Sequence, residues 1–197
     1  MTPPDADSPA IAFRRPTREH ALALAKSHFL AGDRIEMNAL AAELDVGRTT
    51  LYRWVGEREQ LIGLVLGELV DDWVAIVEPQ AKGTGVARFL DVMRRFLDYA
   101  ASSTPLTDFT EREPALALRL LLDRGGPVTE RSTGAIRRLL SEADPELDLP
   151  PKIVETIALA AITLVWANIA AAQEPDIDGA MSLTSTLLDA YARRPGT

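Results

Sequence analysis

The sequence predicts an all-α protein of two domains, a small N-terminal head over residues 13–58 and a larger helical body over residues 59–197. Three observations carry this. Apolar residues recur at three- and four-residue spacing along most of the chain, the period of an amphipathic helix; Leu61, Leu64, Val65, Leu69, Trp73 and Ile76 form the longest such series. No stretch keeps the polar–apolar alternation of a half-buried strand. Glycine and proline interrupt the pattern at Gly32, Gly56, Pro79, Gly125-Gly126-Pro127, Pro145, Pro150-Pro151 and Pro175, cutting it into segments of ordinary helix length.

Taken in order, residues 1–12 are polar, acidic and proline-rich; they read as a disordered tail and carry no signal peptide. Thr17 is placed to cap a first helix that opens on Arg18 and Glu19, carries Leu22, Ala25, Phe29 and Leu30 as its stripe, and stops at Gly32-Asp33. Glu36 to Arg58 then reads as two short helices around a tight turn. Met37–Leu44 sets Leu40 and Leu44 on one face, and Arg48 to Val55 keeps Leu51 and Val55 on its buried side. In the turn between them, Gly47 is expected to free the backbone and Val46 to pack inward. A long helix spans Glu57–Glu78. Val86–Ser102, a loop with a short helix after Ser103, Ala115–Arg124, Val128–Ala143, Lys152–Gln173 and Ile177–Arg194 complete the body.

The second helix of the short pair points to chemistry. At about 100° per residue, Thr49, Thr50 and Arg53 face away from the buried side, flanked by Tyr52 and Trp54. Small hydroxyls around one arginine suit the major groove of DNA, which admits a single helix and rewards hydrogen-bond donors. The arrangement is a helix-turn-helix.

The stretch "LAAELDVGRTTLYRWVGEREQL" resembles the DNA-binding signature of the TetR family of bacterial regulators. Leu40-Ala41 stands at its Ile-Ala, Val46 matches, Thr50-Leu51-Tyr52 matches in full, and Glu59 and Leu61 match. The resemblance covers about the first third of the chain. It implies a homodimeric repressor that binds a palindromic operator on double-stranded DNA and leaves it when the second domain takes up a small molecule. On this reading Thr49, Thr50 and Arg53 contact bases, Arg48, Tyr52 and Arg58 hold phosphate, and Trp54 lies beside them. Arg14 and Arg15, close to Arg18, form a basic arm for phosphate or the minor groove.

The sequence also departs from the family pattern. Leu44-Asp45 replaces Ala-Gly in the turn, Gly47 replaces a serine, Val55 replaces a phenylalanine and Arg58 replaces a lysine. Loss of the serine removes an N-cap and a phosphate donor. Arg58 keeps the charge and gains a bidentate fork. Glu36 stands where the family often has a Thr or Ser that touches phosphate, and a carboxylate there is repelled by DNA. The ending "RWVGEREQL" is similar to a TetR branch that includes regulators of quorum-signal lactonases, which makes a lactone or acyl signal one option for the effector.

Net charge is −8, yet its distribution favours a nucleic-acid partner. Residues 11–60 hold eight Lys/Arg against seven Asp/Glu, whereas residues 61–197 hold 13 against 20. A locally basic surface is what counterion release requires. Enzyme chemistry finds no support. There is no cysteine for a thiol nucleophile, disulfide or zinc site, which also fits a reducing cytoplasm. His20 and His28 are eight apart and cannot make an i,i+4 metal pair. Gly125-Gly126 is followed by proline rather than the Lys-Ser/Thr of a phosphate loop. No catalytic residue, metal or cofactor is expected.

Helical bundles place ligand sites between their helices. Phe89, Met93, Phe96, Tyr99, Phe109 and Trp166 are the candidate walls of a cavity for a small hydrophobic effector, and Asn168 is its candidate polar anchor. The apolar run Ile153–Ala172 nearly reaches membrane-spanning length but contains Glu155, Thr156, Thr163 and Asn168, so it reads as a buried helix at a subunit interface rather than a span. Its alanines at 158, 161, 167 and 171 would allow close helix approach in a homodimer formed with Ile177–Arg194. The alternative reading is a helical architectural or scaffold protein that binds DNA without an effector.

Overall fold

Local chemistry bounds the helices of the head. The structure is a computed structural model and describes residues 16–147, 149–171 and 173–192. The expected tail at residues 1–12, Arg14, Arg15 and the end of the last helix at Arg194 lie outside the described residues. Helix α1 (Arg18–Leu30) is capped reciprocally, Thr17 N donating to His20 Nδ1 at 3.1 Å and His20 N to Thr17 Oγ1 at 3.4 Å. It closes with two backbone bonds, Asp33 N to His28 O and Gly32 N to Phe29 O, with Gly32 at φ 81°. Helix α2 (Met37–Glu43) ends in the same motif: Val46 N donates to Ala41 O and Asp45 N to Ala42 O. Here the left-handed residue is Asp45, at φ 51°.

That corrects the expectation for the turn. Gly47 sits at φ −66° and ψ 143°, which any residue adopts, and serves as the N-cap of α3 (Arg48–Val55). The aspartate stands where the six-residue closure of the helix end demands the left-handed region, and aspartate tolerates that region better than most side chains do. Glycine is needed at the other end of α3. Gly56 has φ 72°, and a Cβ there would fall 1.9 Å from Gln60 Oε1. That oxygen instead accepts from Glu57 N at 2.8 Å and starts α4 (Arg58–Val77).

The core of the head is small and dry: Ala21, Ala25, Leu40 and Leu51 are all at or below 1% exposure. It runs without a break into α4 through Leu61 and Val65. Against the rest of α4 pack α5 (Gly85–Ala101) and α8 (Pro127–Ala143), with α9 (Pro151–Ile162) on α8, while α6 (Thr104–Arg112) and α7 (Pro114–Leu121) form a corner beside the head. The segment expected as a loop with a short helix is thus almost wholly α6, opened by Pro105 in its first turn, where proline costs no hydrogen bond. α9 runs through a π-helical turn at Thr163–Ala167 into α10 (Asn168–Ala170), and α11 (Ile177–Ala192) lies against α5 and α9. Among the described residues there is no strand.

Helix Pro151–Ala170, with mean hydropathy 1.9, is long and apolar enough to cross a membrane by composition alone. In the fold it is a wall of the body: Val154, Ile157, Ala158, Ala161, Val165 and Trp166 are buried against its neighbours. Ala158 and Ala161, expected on an intersubunit face, are turned inward, and of the four alanines only Ala167 and Ala171 remain partly or fully exposed.

Candidate nucleic-acid interface and ligand cavity

Helix α3 hangs on two apolar anchors, Leu51 at 0% and Val55 at 3% exposure, and presents its other face to solvent. Arg48, Thr49 and Arg53 are exposed, and Thr50 is half-buried at the edge. Neither Arg48 nor Arg53 pairs with an acid among the described residues. With a glycine cap, no side chain occupies the backbone N–H groups of the first turn. A convex helix with open donors and two uncompensated cations can do little chemically except bind an anionic, groove-bearing surface.

Two of the expected DNA contacts are half-buried at the flanks of the helix. Tyr52 is half-buried and packs on the head core. Trp54 lies only about 60° round the helix from Leu51 at the helical pitch, and it borders a groove toward the body together with Arg18, Arg119 and Leu120. Its carbonyl accepts from Arg18 Nε at 3.0 Å, so Arg18 ties α1 to the end of the reading helix.

Arg58 corrects the expectation most clearly. Its Nη1 and Nη2 hold both carboxylate oxygens of Glu113 at 2.9 and 2.7 Å, and its Nε donates to Ile35 O at 2.8 Å. The bidentate fork noted in the sequence is used inside the protein, where it joins α4, the α1–α2 loop and the α6–α7 corner. The guanidinium holds the Glu113 carboxyl below the usual carboxylate range. Beside this pair, Phe29 and Phe109 meet edge to face at 5.7 Å and Arg112 donates to Gly32 O at 3.3 Å. Lys26, its pKa raised by Asp72, clamps α1 to α4 through Asp72 at 2.7 Å and Glu68 at 3.1 Å. The head is therefore seated on the body by aromatic contact and charge-assisted bonds.

A partly open apolar void of about 60 Å³ lies in the body, bounded by Val70 and Val74 of α4, Phe89, Val92, Met93, Phe96 and Leu97 of α5, Ser132, Ala135, Ile136 and Leu139 of α8, and Ala158, Ala161 and Ile162 of α9. Phe89, Met93 and Phe96 are thus where the sequence placed them. Trp166 borders a second void of about 30 Å³, shared with Phe96 and Trp73. The other three candidates lie elsewhere. Tyr99 is 40% exposed and meets Trp73 edge to face, Phe109 belongs to the joint with the head, and Asn168 is half-buried with its Nδ2 donating to Glu174 O at 3.3 Å. Sequence reasoning chose aromatics and missed the aliphatic walls. The Val70/Val74 pair and the Ser132–Ala135–Ile136–Leu139 stripe do show helical spacing, but nothing in a spacing separates a void lining from a filled core.

A helix-turn-helix with an open, cationic reading helix, seated on the end of a long helix that runs into an all-helical body, defines a DNA-binding transcriptional regulator. The comparisons make the class specific. The sequence model described as "Tetracyclin repressor-like, C-terminal domain" matches residues 84–189, more than half of the chain. Among solved structures, the R. erythropolis transcriptional repressor QsdR from the TetR family is 31% identical, with a TM-score of 0.81, covering 91% of this chain and 97% of its own. The TetR-family repressor AlkX from Dietzia sp. strain DQ12-45-1b, implicated in biodegradation of n-alkanes, shares the fold at 23% identity and a TM-score of 0.54, over 91% and 98% of the two chains. No curated protein matches. The chain belongs to the TetR family of transcriptional regulators.

Proposed function

We propose that this protein is a homodimeric repressor that holds a palindromic operator through two copies of α3 and releases it when an apolar small molecule enters the body. Arg48, Thr49, Thr50 and Arg53 make the contacts with DNA, residues 13–58 act as the reading head, and residues 59–197 as the effector and dimerisation body. The observation that carries the reading is that α4 serves both parts. Its first residue, Arg58, is bonded into the head, and about three to four turns along the same helix Val70 and Val74 wall the apolar void. A ligand shifts DNA affinity only by binding one arrangement of the heads better than another. A void of about 60 Å³ is too small for a drug-sized ligand, so occupancy must spread α4, α5, α8 and α9, and with α4 the heads.

The dimer is assigned to α9–α10 and α11. Their outer faces keep Thr163, Ala167, Ala171 and Leu183 at least partly exposed, with Leu183 at 40%. Two reading helices on one twofold axis suit half-sites about 34–36 Å apart. Work on chromosomal DNA places the protein in the cytoplasm, and it needs no catalytic group or cofactor. The likeness of the "RWVGEREQL" segment to one branch leaves a lactone or acyl signal as an effector option. The test is fluorescence anisotropy of a labelled operator, selected from genomic fragments, titrated with apolar candidates. Release at micromolar ligand supports the reading. DNA coated without sequence preference and untouched by any ligand would replace it with an architectural role.

A further inference from the structure

The two voids of the body share four wall residues, Val70, Phe96, Ser132 and Ile162. Phe96 is the largest of them and is only half-buried, so it forms a movable partition. Neither void holds much alone: an apolar cavity of about 150 Å³ is what benzene fills, against about 60 and 30 Å³ here. Even joined they fall short of that volume, so a ligand that threads past Phe96 has to be slender and has to part the helices as it enters.

No charged side chain borders either void. An ionised group entering there would lose its water and meet no counter-charge. The wall contains one hydroxyl, that of Ser132 on α8, and a second, that of Thr129, lies behind the wall on the same helix. Ser132 borders both voids and makes no hydrogen bond within the described residues. Thr129, three residues earlier and about 60° round the helix on the side of Ile136, is 2% exposed, and its Oγ1 has no partner. Buried helical threonines elsewhere in this protein are satisfied: Thr110 and Thr184 donate to carbonyls four residues back at 2.9 and 2.8 Å. A buried hydroxyl left without a partner is uncommon in folded proteins and invites one.

We infer that the ligand of the body is an uncharged molecule with an unbranched aliphatic chain and one oxygen acceptor, such as an ester, lactone or ketone. The chain lies along the void past Phe96, and the oxygen accepts from the Ser132 hydroxyl in the wall and, as the helices part, from the Thr129 hydroxyl behind it. This rests on the effector reading above for its biological meaning, but binding itself is measurable without DNA.

Methyl octanoate and octanoate at pH 7 are the probes, titrated against the full chain. Trp73 and Trp166 border the second void, so their emission reports entry, and calorimetry gives the affinity. The ester is expected to bind saturably and at least about tenfold more tightly than the carboxylate. Ser132→Ala and Thr129→Val are each expected to weaken the ester roughly fivefold, the scale of one neutral hydrogen bond, while thermal unfolding without ligand stays the same or rises for Thr129→Val. Phe96→Ala, which joins the voids, should bind the ester at least as well. Octanoate binding as tightly as the ester, unchanged ester affinity in both hydroxyl variants, or no binding by wild type and Phe96→Ala alike would each overturn the inference. Ester binding with the hydroxyl dependence but no change in operator affinity would retain this site and overturn the effector reading alone.

Discussion

The arginines of the reading helix and those of the body are treated in opposite ways. In the body, Arg94 meets Asp178 at 2.6 Å, Arg95 meets Asp91 at 2.8 Å, Arg119 meets Glu59 at 2.5 Å, Arg124 meets Glu155 at 2.8 Å and Arg138 meets Glu78 at 2.8 Å, with Arg131 on Asp71 as well. On α3, Arg48 and Arg53 stand exposed with no acid beside them. Exposed ion pairs contribute little to stability, so the contrast is about fields rather than folding. Most arginines of the body meet an acid, Arg112 and Arg137 excepted, and the body remains acidic, whereas the reading helix keeps its positive charge for a partner. The pairing state of an arginine is thus a better guide to its role than its presence in a motif, and Arg58 shows why. It lies within the signature but behaves like a body arginine.

Measurements on variants would break or sharpen that contrast. Arg53→Ala should have the largest effect, costing about 1–3 kcal/mol per half-site and relaxing base preference at one position; unchanged discrimination among operator variants would remove Arg53 from base reading. Arg58→Ala should act on the fold instead. Stranding Glu113 and the Ile35 carbonyl should lower stability by about 1–3 kcal/mol and leave the salt dependence of DNA binding unchanged. A slope reduced by about one would return Arg58 to the phosphate contacts.

The same pair has a signature in acid. Because Arg58 holds the Glu113 pKa below its ordinary value near 4.5, the stability it contributes is fully present above that value and is lost as pH falls through the depressed one. Urea unfolding between pH 6 and 3 should show this acid limb in the wild type and a shallower one in Arg58→Ala.

Smaller effects test the turn. Asp45→Gly should stabilise the head by about 0.5–1 kcal/mol, because it removes the left-handed penalty at φ 51°; a loss of stability would mean that the aspartate side chain has a role of its own. Gly47→Ser meets nothing within 4 Å and supplies the missing cap, for a gain of a few tenths of a kcal/mol in thermal unfolding.

The sequence by itself determined the helices, their order and the reading face. These depend on periodicity, caps and breakers within a few residues, and Leu51/Val55 opposite Thr49/Arg53 is fully written in eight positions. The left-handed turn residue was legible too, since Asp45 occupies the family's glycine, although Gly47 drew attention because glycine permits such a conformation without requiring it. The tertiary structure decided everything that depends on distant partners. Glu113 lies 55 residues from Arg58 and turns a phosphate contact into a structural bond. Phe29 claims Phe109 for the joint between head and body. Tyr99 and Asn168 carry the right chemistry for a cavity, yet α5 turns Tyr99 outward and Asn168, at the start of α10, donates to the Glu174 carbonyl just after its own helix. Helical spacing fixes which residues share a face but not what that face meets, and a void is a property of several faces at once.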